Sequence, residues 1–218
     1  MAPLVLFLCP ILIFKTVMKN LQDITLDDVK TLMVSKSYKT FTHGKPNIVG
    51  IRNASPDADD SFNDLCWVWW TDGGQEVSHS YTITTHPGFT YLQNPIAGTT
   101  GTAILVPGQY FDTWELGMHK GKQFALCQND GPVKVYRDNN KDTILTCDPK
   151  TIESGYFGID LHHGSINDTN VIGPWSAGCQ VWRFSGPHED LMQDLKALSA
   201  KYGYSSFSYT LVNQEDFA

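Results

Sequence analysis

The segment from Leu65 to Ile83 restricts the fold of this chain more than any other part of the sequence. It contains two stretches rich in aromatic and β-branched residues, LCWVWW and VSHSYTI, which are separated by a connection containing TDGG. Such residues favour strands, and a short connection with Gly-Gly is typical of a β-hairpin. We therefore predict that residues 65–70 pair with the strand that ends at Ile83, and that the chain folds around a β-sheet.

Most of the remaining chain follows the same pattern of short apolar stretches between turns. The 18 Gly and 11 Pro residues, with only 18% charged residues, are typical of a turn-rich β-protein rather than a helix bundle. Further β segments are predicted as a buried strand in GTAILVPGQY, two strands around Lys120-Gly121-Lys122, a hairpin around Asn139-Asn140, and a strand in GYFGIDLHH whose last residues reach a sheet edge.

Two helices are predicted outside the β segments. Within residues 24–38, Thr25 can cap a helix and Asp28 completes a capping box. Late in the chain, a helix is expected to begin near Pro187 and to end at Gly203. The predicted fold class is therefore mainly β, sandwich-like or barrel-like, with a short N-terminal helix and one late helix.

The chain divides into three predicted parts. Residues 1–17 are an apolar extension, residues 18–60 hold the N-terminal helix and a lead-in, and residues 61–218 form the main domain. The extension has the length of a signal-peptide core, is short for a membrane span, and is followed by no small-residue cleavage site. An atypical export signal, a short membrane anchor and an upstream start before Met18 all stay open. Membrane contact is expected only through this extension.

The charge and the cysteines exclude several classes of protein. A formal net charge of −7 and a sequence pI of about 5.4 give no basic footprint for nucleic acid. The five cysteines are odd in number and have no zinc-ligand spacing, so we predict neither a disulfide framework nor a zinc site. Cys66, Cys127 and Cys147 lie in apolar or strand-like contexts and are interpreted as small buried residues.

Cys179 is the exception, because it follows the sequence Ser-Ala-Gly. A thiol that attacks an acyl group needs a base, donors for the oxyanion, and access for the substrate. Gly178 lets a carbonyl group approach, and Ser176 can form a hydrogen bond within the turn. The histidine pair His162 and His163 precedes a loop-like connection that ends at this turn. These residues predict a Cys-His acyl-transfer site, whereas a cysteine in such a position, taken alone, is more often a buried structural thiol.

Strand alternation separates the two histidines. If Phe157, Ile159 and Leu161 face the core, His162 lies on the other face, and the site is expected to open on that face. His162 is therefore the preferred base. His163 becomes the base if the strand has the opposite phase.

The residues FGIDLHHG…PWSAGC resemble the signature of the L,D-transpeptidase, or YkuD-type, catalytic domain. That signature is a His on a strand, a loop, and then Ser/Thr-His-Gly-Cys. TTHPGFTYLQNP is similar, more weakly, to a strand upstream of it, so the resemblance covers residues 80–183. The form WSAGCQV resembles that of a divergent branch found in bacteriophages and prophages. Ala177 replaces the usual His, and Val181 replaces the usual Arg.

The resemblance implies that the main domain is catalytic. Cys179 would attack the acyl carbon of a peptidoglycan stem peptide, His162 would transfer the proton, and the thioester would pass to an amine or to water. Backbone N–H groups of Gly178 and Cys179 would bind the oxyanion. Apart from the resemblance, we expect Trp175 and His119 to contact the substrate, His119 as a second wall of the pocket because LGMHKG ends a strand. No metal or organic cofactor is implied. The expected location is the cell envelope, the periplasm or a phage particle.

Two alternatives stay open. A non-catalytic module that binds peptidoglycan or belongs to a virion can keep the fold without turnover. Asp138, Asn140 and Asp142 occupy positions 1, 3 and 5 of an EF-hand-like loop, which is a weak calcium alternative. Thr143 stands at the usual Gly position and Pro149 at the usual Glu position, and a polar hairpin turn explains the same residues equally well.

Overall fold

The computed structural model describes residues 18–55, 60–164, 167 and 169–218. In these ranges the chain forms eleven strands and three α-helices, so the predicted mainly β fold is confirmed. The strands are β1 (Asn47–Arg52), β2 (Asp64–Asp72), β3 (Gln75–Thr84), β4 (Thr102–Leu105), β5 (Gly108–His119), β6 (Gln123–Gln128), β7 (Val133–Asp138), β8 (Glu153–Gly155), β9 (Leu161–His163), β10 (Gln180–Trp182) and β11 (Ser206–Asn213). The helices are α1 (Leu26–Ser35), α2 (Phe89–Gln93) and α3 (Ser185–Tyr202).

Eight of the strands form a closed barrel. Their order around the barrel is β1-β11-β5-β6-β9-β10-β3-β2, and β2 pairs with β1 to close it. Neighbouring strands are antiparallel except for β1 with β11 and β9 with β10, which are parallel. The other three strands form a small sheet in the order β4-β7-β8. The barrel thus includes β1, which lies in the segment predicted as a lead-in.

Two of the predicted strand pairings are confirmed, the hairpin at Gly73-Gly74 and the pair around Lys120-Gly121-Lys122. β2 and β3 pair in antiparallel register up to Asp72 and Gln75, and Gly73 and Gly74 turn the chain with φ values of 57° and 86°. β5 and β6 pair in the same way up to the connection that follows His119. Local turn chemistry was therefore sufficient to predict these pairings.

Three details of the strand prediction are wrong. β7 forms no hairpin around Asn139-Asn140, because it pairs with β4 and β8, and the polar side chains after it bond their own loop instead. TTHPGFTYLQNP is not a strand, since β3 ends at Thr84 and α2 follows. β9 does not lie at a sheet edge, because it pairs with both β6 and β10.

The two predicted helices are confirmed, although α1 ends at Ser35 rather than near residue 38 and α3 begins at Ser185 rather than near Pro187. In α1, the Thr25 hydroxyl accepts a hydrogen bond from the N–H group of Asp28 at 3.2 Å, and the Asp28 carboxylate accepts one from the N–H group of Thr25 at 2.9 Å. α3 ends at Gly203, which adopts the left-handed conformation with a φ of 73°. The helix α2 was not predicted.

Two apolar clusters stabilise the barrel. The first lies inside it and under α3, where Trp114, Trp182 and Tyr209 are almost fully buried and Leu191 and Leu195 pack from the helix. The second lies between α1 and the outer face of the sheet, and it includes Val29, Ile51 and Trp69. Cys66 and Cys127 are buried as interpreted, but the interpretation of Cys147 is wrong because its thiol is exposed.

Within the described residues, no helix is both long and apolar enough to cross a membrane. Residues 1–17, with the signal, anchor and upstream-start predictions made for them, lie outside the described residues.

Candidate functional site

The Ser176 side chain holds the turn that ends at Cys179. Its hydroxyl group donates a hydrogen bond to the carbonyl oxygen of Cys179 at 2.8 Å and accepts one from the N–H group of Gly178 at 3.2 Å. Ser176 is fully buried, so water does not compete for these bonds. The hydroxyl therefore fixes the conformation in which the turn presents Cys179.

The backbone and surroundings of Gly178 exclude a side chain. Its φ is +129°, and a Cβ atom at this position would lie 2.4 Å from the carbonyl oxygen of Ala103 in β4. We expect Gly178→Ala to lower the free energy of unfolding by about 2–4 kcal/mol, because both the backbone strain and the overlap must be relieved. Urea unfolding of the purified variant measures this loss.

Gly74→Ala is the matched control for this prediction. Gly74 also has a positive φ, +86°, but no atom lies within 4 Å of an added Cβ. This variant should lose only the conformational cost, about 1 kcal/mol. Equal losses in the two variants would contradict the role assigned to the contact with Ala103.

The parallel pair of β9 and β10 brings the two halves of the motif together. Val181 lies beside His162, and the N–H group of Gln180 donates to the carbonyl oxygen of Asp160 at 3.0 Å. Cys179 lies two residues before Val181 and therefore on the same side of the sheet as His162. The thiol and one imidazole share a face.

His163 lies on the opposite face, against α3. Its Nε2 atom is 3.7 Å from a carboxylate oxygen of Glu189, and its ring meets that of His188 edge-on with 5.4 Å between the centroids. Adjacent residues of a strand face opposite sides, so His163 does not share a face with Cys179. His162 is the histidine that this geometry offers as a base.

One hydrogen bond sets the tautomer of His162. A carbonyl oxygen only accepts, so the Nδ1 atom, which lies 2.8 Å from the carbonyl oxygen of His163, carries the proton. The lone pair then lies on Nε2, which is buried and has no hydrogen-bond partner in the described part of the chain. Burial lowers the pKa of His162 to about 3, and the neighbouring His119 makes a smaller contribution in the same direction. The ring of His162 is therefore neutral near pH 7.

His119 packs flat against His162. The ring centroids lie 4.0 Å apart, with 11° between the planes. The Nδ1 atom of His119 is 2.7 Å from one carboxylate oxygen of Asp160, whose other oxygen accepts from the N–H group of Gln128 at 2.9 Å. His119 was predicted as a second wall of the substrate pocket. It is only 7% exposed, and its ring packs against that of His162.

The Cys179 thiol is less accessible than the sequence suggested. The residue is 9% exposed, and its thiol donates to the carbonyl oxygen of Gly158 at 3.4 Å. Burial raises the pKa of Cys179 to about 12, so the thiol is protonated at neutral pH. No hydrogen bond joins it to His162 among the described residues. The apolar side chains packed around the thiol are Phe62, Ile172 and Val181.

The prediction that this face of β9 opens to solvent is wrong. His162 is only 2% exposed, and Phe62 and Ile172 pack beside Cys179. Phe62 comes from a segment distant in sequence and Ile172 from the loop between β9 and β10, and strand alternation reveals neither contact.

A cleft of about 270 Å³ begins next to Ala177. Its lining comes mainly from the small sheet and the segment before β9, and it comprises Ile96, Thr99, Gly101, Thr102, Ala103, Arg137, Tyr156, Phe157 and Ala177. Because Gly178 and Cys179 follow Ala177 directly, an extended peptide in the cleft would approach the turn. Trp175, the other residue predicted to contact substrate, is 36% exposed on a short 3-10 helix but does not line this cleft.

One of the two predicted oxyanion donors is occupied. The N–H group of Gly178 is bonded to the Ser176 hydroxyl and reaches a substrate only if that bond breaks. The N–H group of Cys179 makes no hydrogen bond in the part of the chain that the structure describes. The turn therefore offers one ready donor.

The side chains of the weak calcium alternative bond their own loop. Asp138 accepts hydrogen bonds from the N–H groups of Asn140 and Thr146, Asn140 accepts one from Asp142, and Asp142 accepts one from Ile144. These bonds close successive turns of the Asx type in the loop after β7, although that loop is not the predicted hairpin turn. Over the described ranges, no group of three or more His, Cys, Asp or Glu side chains is arranged to hold a metal ion.

Sequence reasoning missed two residues of the site. Asp160 binds His119, and strand alternation could have found it because it lies on the same face as His162. Gln180 bonds the turn from inside the barrel, and its partner Tyr209 comes from the last strand. No local pattern indicates such a long-range contact.

Comparisons with known proteins give no match to a family model, a curated protein or a solved structure. Function is therefore inferred from the geometry of the site and from the motif resemblance.

Proposed function

We propose that this protein is a cysteine acyltransferase in which Cys179 is the nucleophile and His162 is the base. The observation that carries the proposal is the state of His162, whose Nδ1 is held by a carbonyl oxygen while the lone pair of Nε2 stays buried and unused. This lone pair lies on the sheet face of Cys179. An unpartnered buried polar atom is costly and calls for an explanation, and a catalytic role supplies one.

The proposed substrates are peptidoglycan stem peptides, as the motif resemblance implies, with transfer to an amine or to water as in an L,D-transpeptidase or L,D-peptidase. The cleft beside Ala177 supports a peptide substrate, because it lies next to the turn that carries Cys179. A substrate of this class would place the protein at the cell envelope or on a phage particle.

The proposed reaction begins when the thiol turns from the carbonyl oxygen of Gly158 to Nε2 of His162. As Sγ attacks the acyl carbon, the thiol proton passes to Nε2, and the carbonyl oxygen becomes an oxyanion that accepts from the N–H group of Cys179. The imidazolium then gives its proton to the leaving amine, and a thioester remains on Cys179. An amine or water, deprotonated by His162, resolves the thioester and restores the thiol.

Proton transfer and attack are proposed to occur together. The pKa of Cys179 is raised to about 12 and that of His162 is lowered to about 3, both chiefly by burial, so the free protein holds a neutral pair rather than an ion pair. The positive charge of Lys120 also disfavours a charged His162. The imidazolium is therefore expected only while the oxyanion is present beside it.

One observation favours the non-catalytic alternative, a module that binds peptidoglycan or a virion component. The Cys179 thiol is packed against apolar side chains and bonded to the carbonyl oxygen of Gly158, as in a structural cysteine. In that case the thiol never forms an acyl-enzyme.

Acyl-enzyme formation separates the two candidates. The full chain is incubated with a carbapenem and, separately, with a stem tetrapeptide, and mass spectrometry with peptide mapping locates the adduct. We expect a single adduct on Cys179, none in Cys179→Ala, and formation about a hundredfold slower in His162→Gln, because the base is lost. Cys127→Ala removes another buried thiol and should keep the wild-type rate.

Two results would contradict the proposal. The first is an adduct confined to Cys147 or Cys127, and the second is an unchanged rate in His162→Gln. A protein that sediments with peptidoglycan but forms no adduct with either reagent would support the non-catalytic alternative.

A further inference from the structure

We infer that Gln180 is the positioning residue that turns the N–H group of Cys179 into the site. The inference rests on the proposed function and deepens it, because it names the residue that prepares the oxyanion donor. Gln180 directly follows the nucleophile, but its side chain points the other way, into the barrel, and it is wholly buried there.

Gln180 acts on the peptide group between Gly178 and Cys179. The Gln180 Nε2 atom donates to the carbonyl oxygen of Gly178 at 3.2 Å and to that of Thr85 at 3.4 Å. None of the described peptide bonds is cis, and in a trans peptide the C=O and N–H groups point in opposite directions. A carbonyl group drawn towards Gln180 therefore turns the Cys179 N–H group away from the barrel interior, to the face that carries His162.

Gln180 is itself held by Tyr209. The phenol group donates to Oε1 of Gln180 at 2.9 Å, which determines that the NH₂ end of the amide faces Gly178. Gly50 in β1 leaves room for the hydroxyl group, since a Cβ atom there would lie 1.8 Å from it. The Tyr209 ring packs edge-on against Trp114 with 5.7 Å between the centroids. The nucleophile's own amide is thus linked to the packed core of the barrel.

The turn has no second ready donor. The N–H group of Gly178 is bonded to the Ser176 hydroxyl, so the orientation of one peptide plane decides whether the oxyanion finds a partner. Loss of one oxyanion donor typically slows acyl transfer by about 10²–10³-fold. Gln180 therefore acts through Cys179 and needs no contact with the substrate.

The first test compares two reactions of the same thiol. Gln180→Met keeps the length of the side chain but cannot donate to Gly178. We expect acylation of Cys179 by a carbapenem to slow by about a hundredfold. Alkylation by iodoacetamide, which forms no oxyanion, should keep its rate. A merely structural role would alter both rates together, so an unchanged ratio of acylation to alkylation would overturn the inference.

The second test does not depend on activity. Gly178–Cys179 is the one Gly-Cys pair in the sequence, so protein labelled with carbonyl-¹³C glycine and ¹⁵N cysteine gives a single carbonyl-to-amide NMR correlation. In Gln180→Met the Gly178 carbonyl resonance should move upfield, because its hydrogen bond is lost. An unmoved resonance would overturn the inference, whatever the activity of the protein.

Two further variants complete the experiment. Tyr209→Phe removes only the hydroxyl group that orients Gln180. It should shift the Gly178 carbonyl resonance and lower the ratio of acylation to alkylation at Cys179. It also replaces Gln180→Met in both tests if that variant does not fold. Gln214→Met is the matched control, since this buried amide bonds the carbonyl oxygen of Lys19 and the N–H group of Ala54 instead. Wild-type protein that forms no acyl-enzyme contradicts the proposed function, while the resonance still decides the role of Gln180.

Discussion

Lowering the pH from 6.5 to 4.5 is expected to reduce the free energy of unfolding by about 5 kcal/mol, through two buried histidines. Burial, with a smaller effect of neighbouring histidines, lowers the pKa of both His162 and His188 from 6.5 to about 3. Above pH 6.5 both rings are neutral in the folded and the unfolded chain, so their contribution is fully present. Below this pH the unfolded chain binds protons that the folded rings do not, and stability falls by about 1.4 kcal/mol per pH unit for each ring.

Carboxyl groups do not explain a loss in this pH window. The clearest case is Asp28, whose pKa is lowered to about 2 by hydrogen bonds from Lys19 and Thr25. Its contribution is lost only below about pH 4, where the unfolded carboxyl group begins to bind a proton. The slope between pH 6.5 and pH 4.5 therefore reports the buried imidazoles.

Urea unfolding at a series of pH values measures this slope. His188→Leu should remove about half of it, because one of the two buried rings is gone. His79→Gln is the control, since His79 lies on the exposed part of β3, and it should keep the wild-type slope. Stability that stays constant over this range would contradict the burial of neutral imidazoles at positions 162 and 188.

The parts of the fold that sequence reasoning predicted depend on contacts between near neighbours. The hairpin at Gly73 and Gly74 and the capping box of Thr25 and Asp28 involve residues a few positions apart, so their chemistry is visible in the sequence. The burial of Ile159 and Leu161 before His162 was predicted for the same reason, because alternate apolar residues mark the buried face, although the strand itself begins only at Leu161.

The parts that were missed depend on contacts between distant segments. Phe62, from the segment before β2, packs in one apolar cluster with Cys179. Tyr209 reaches Gln180 from a strand near the end of the chain. The sequence therefore predicted that Cys179 and His162 lie on one face of the sheet, but not that the thiol is buried, that Nε2 of His162 has no partner, or which residue orients the turn.

The burial of Cys179 leads to the second large effect. At pH 7.5, iodoacetamide should alkylate this thiol at least about a thousandfold more slowly than a small-peptide thiol. The thiolate is the nucleophile, and with a pKa of about 12 the thiolate fraction of Cys179 is very small at this pH. The rate should rise about tenfold per pH unit between pH 7 and pH 10, without a plateau. A preformed thiolate-imidazolium pair would instead give a fast rate that hardly changes with pH.

Time-resolved mass spectrometry of the alkylated chain tests this prediction with an internal control, because the exposed thiol of Cys147 in the same protein should be modified first. His162→Gln should leave the alkylation rate of Cys179 unchanged, since no hydrogen bond joins the imidazole to the thiol in the free protein. The same variant should lose acyl-enzyme formation, because His162 receives the thiol proton only when an acyl group is attacked. Fast alkylation of Cys179 at neutral pH that depends on His162 would show that the resting site already holds the ion pair, and the concerted proton transfer proposed above would then be wrong.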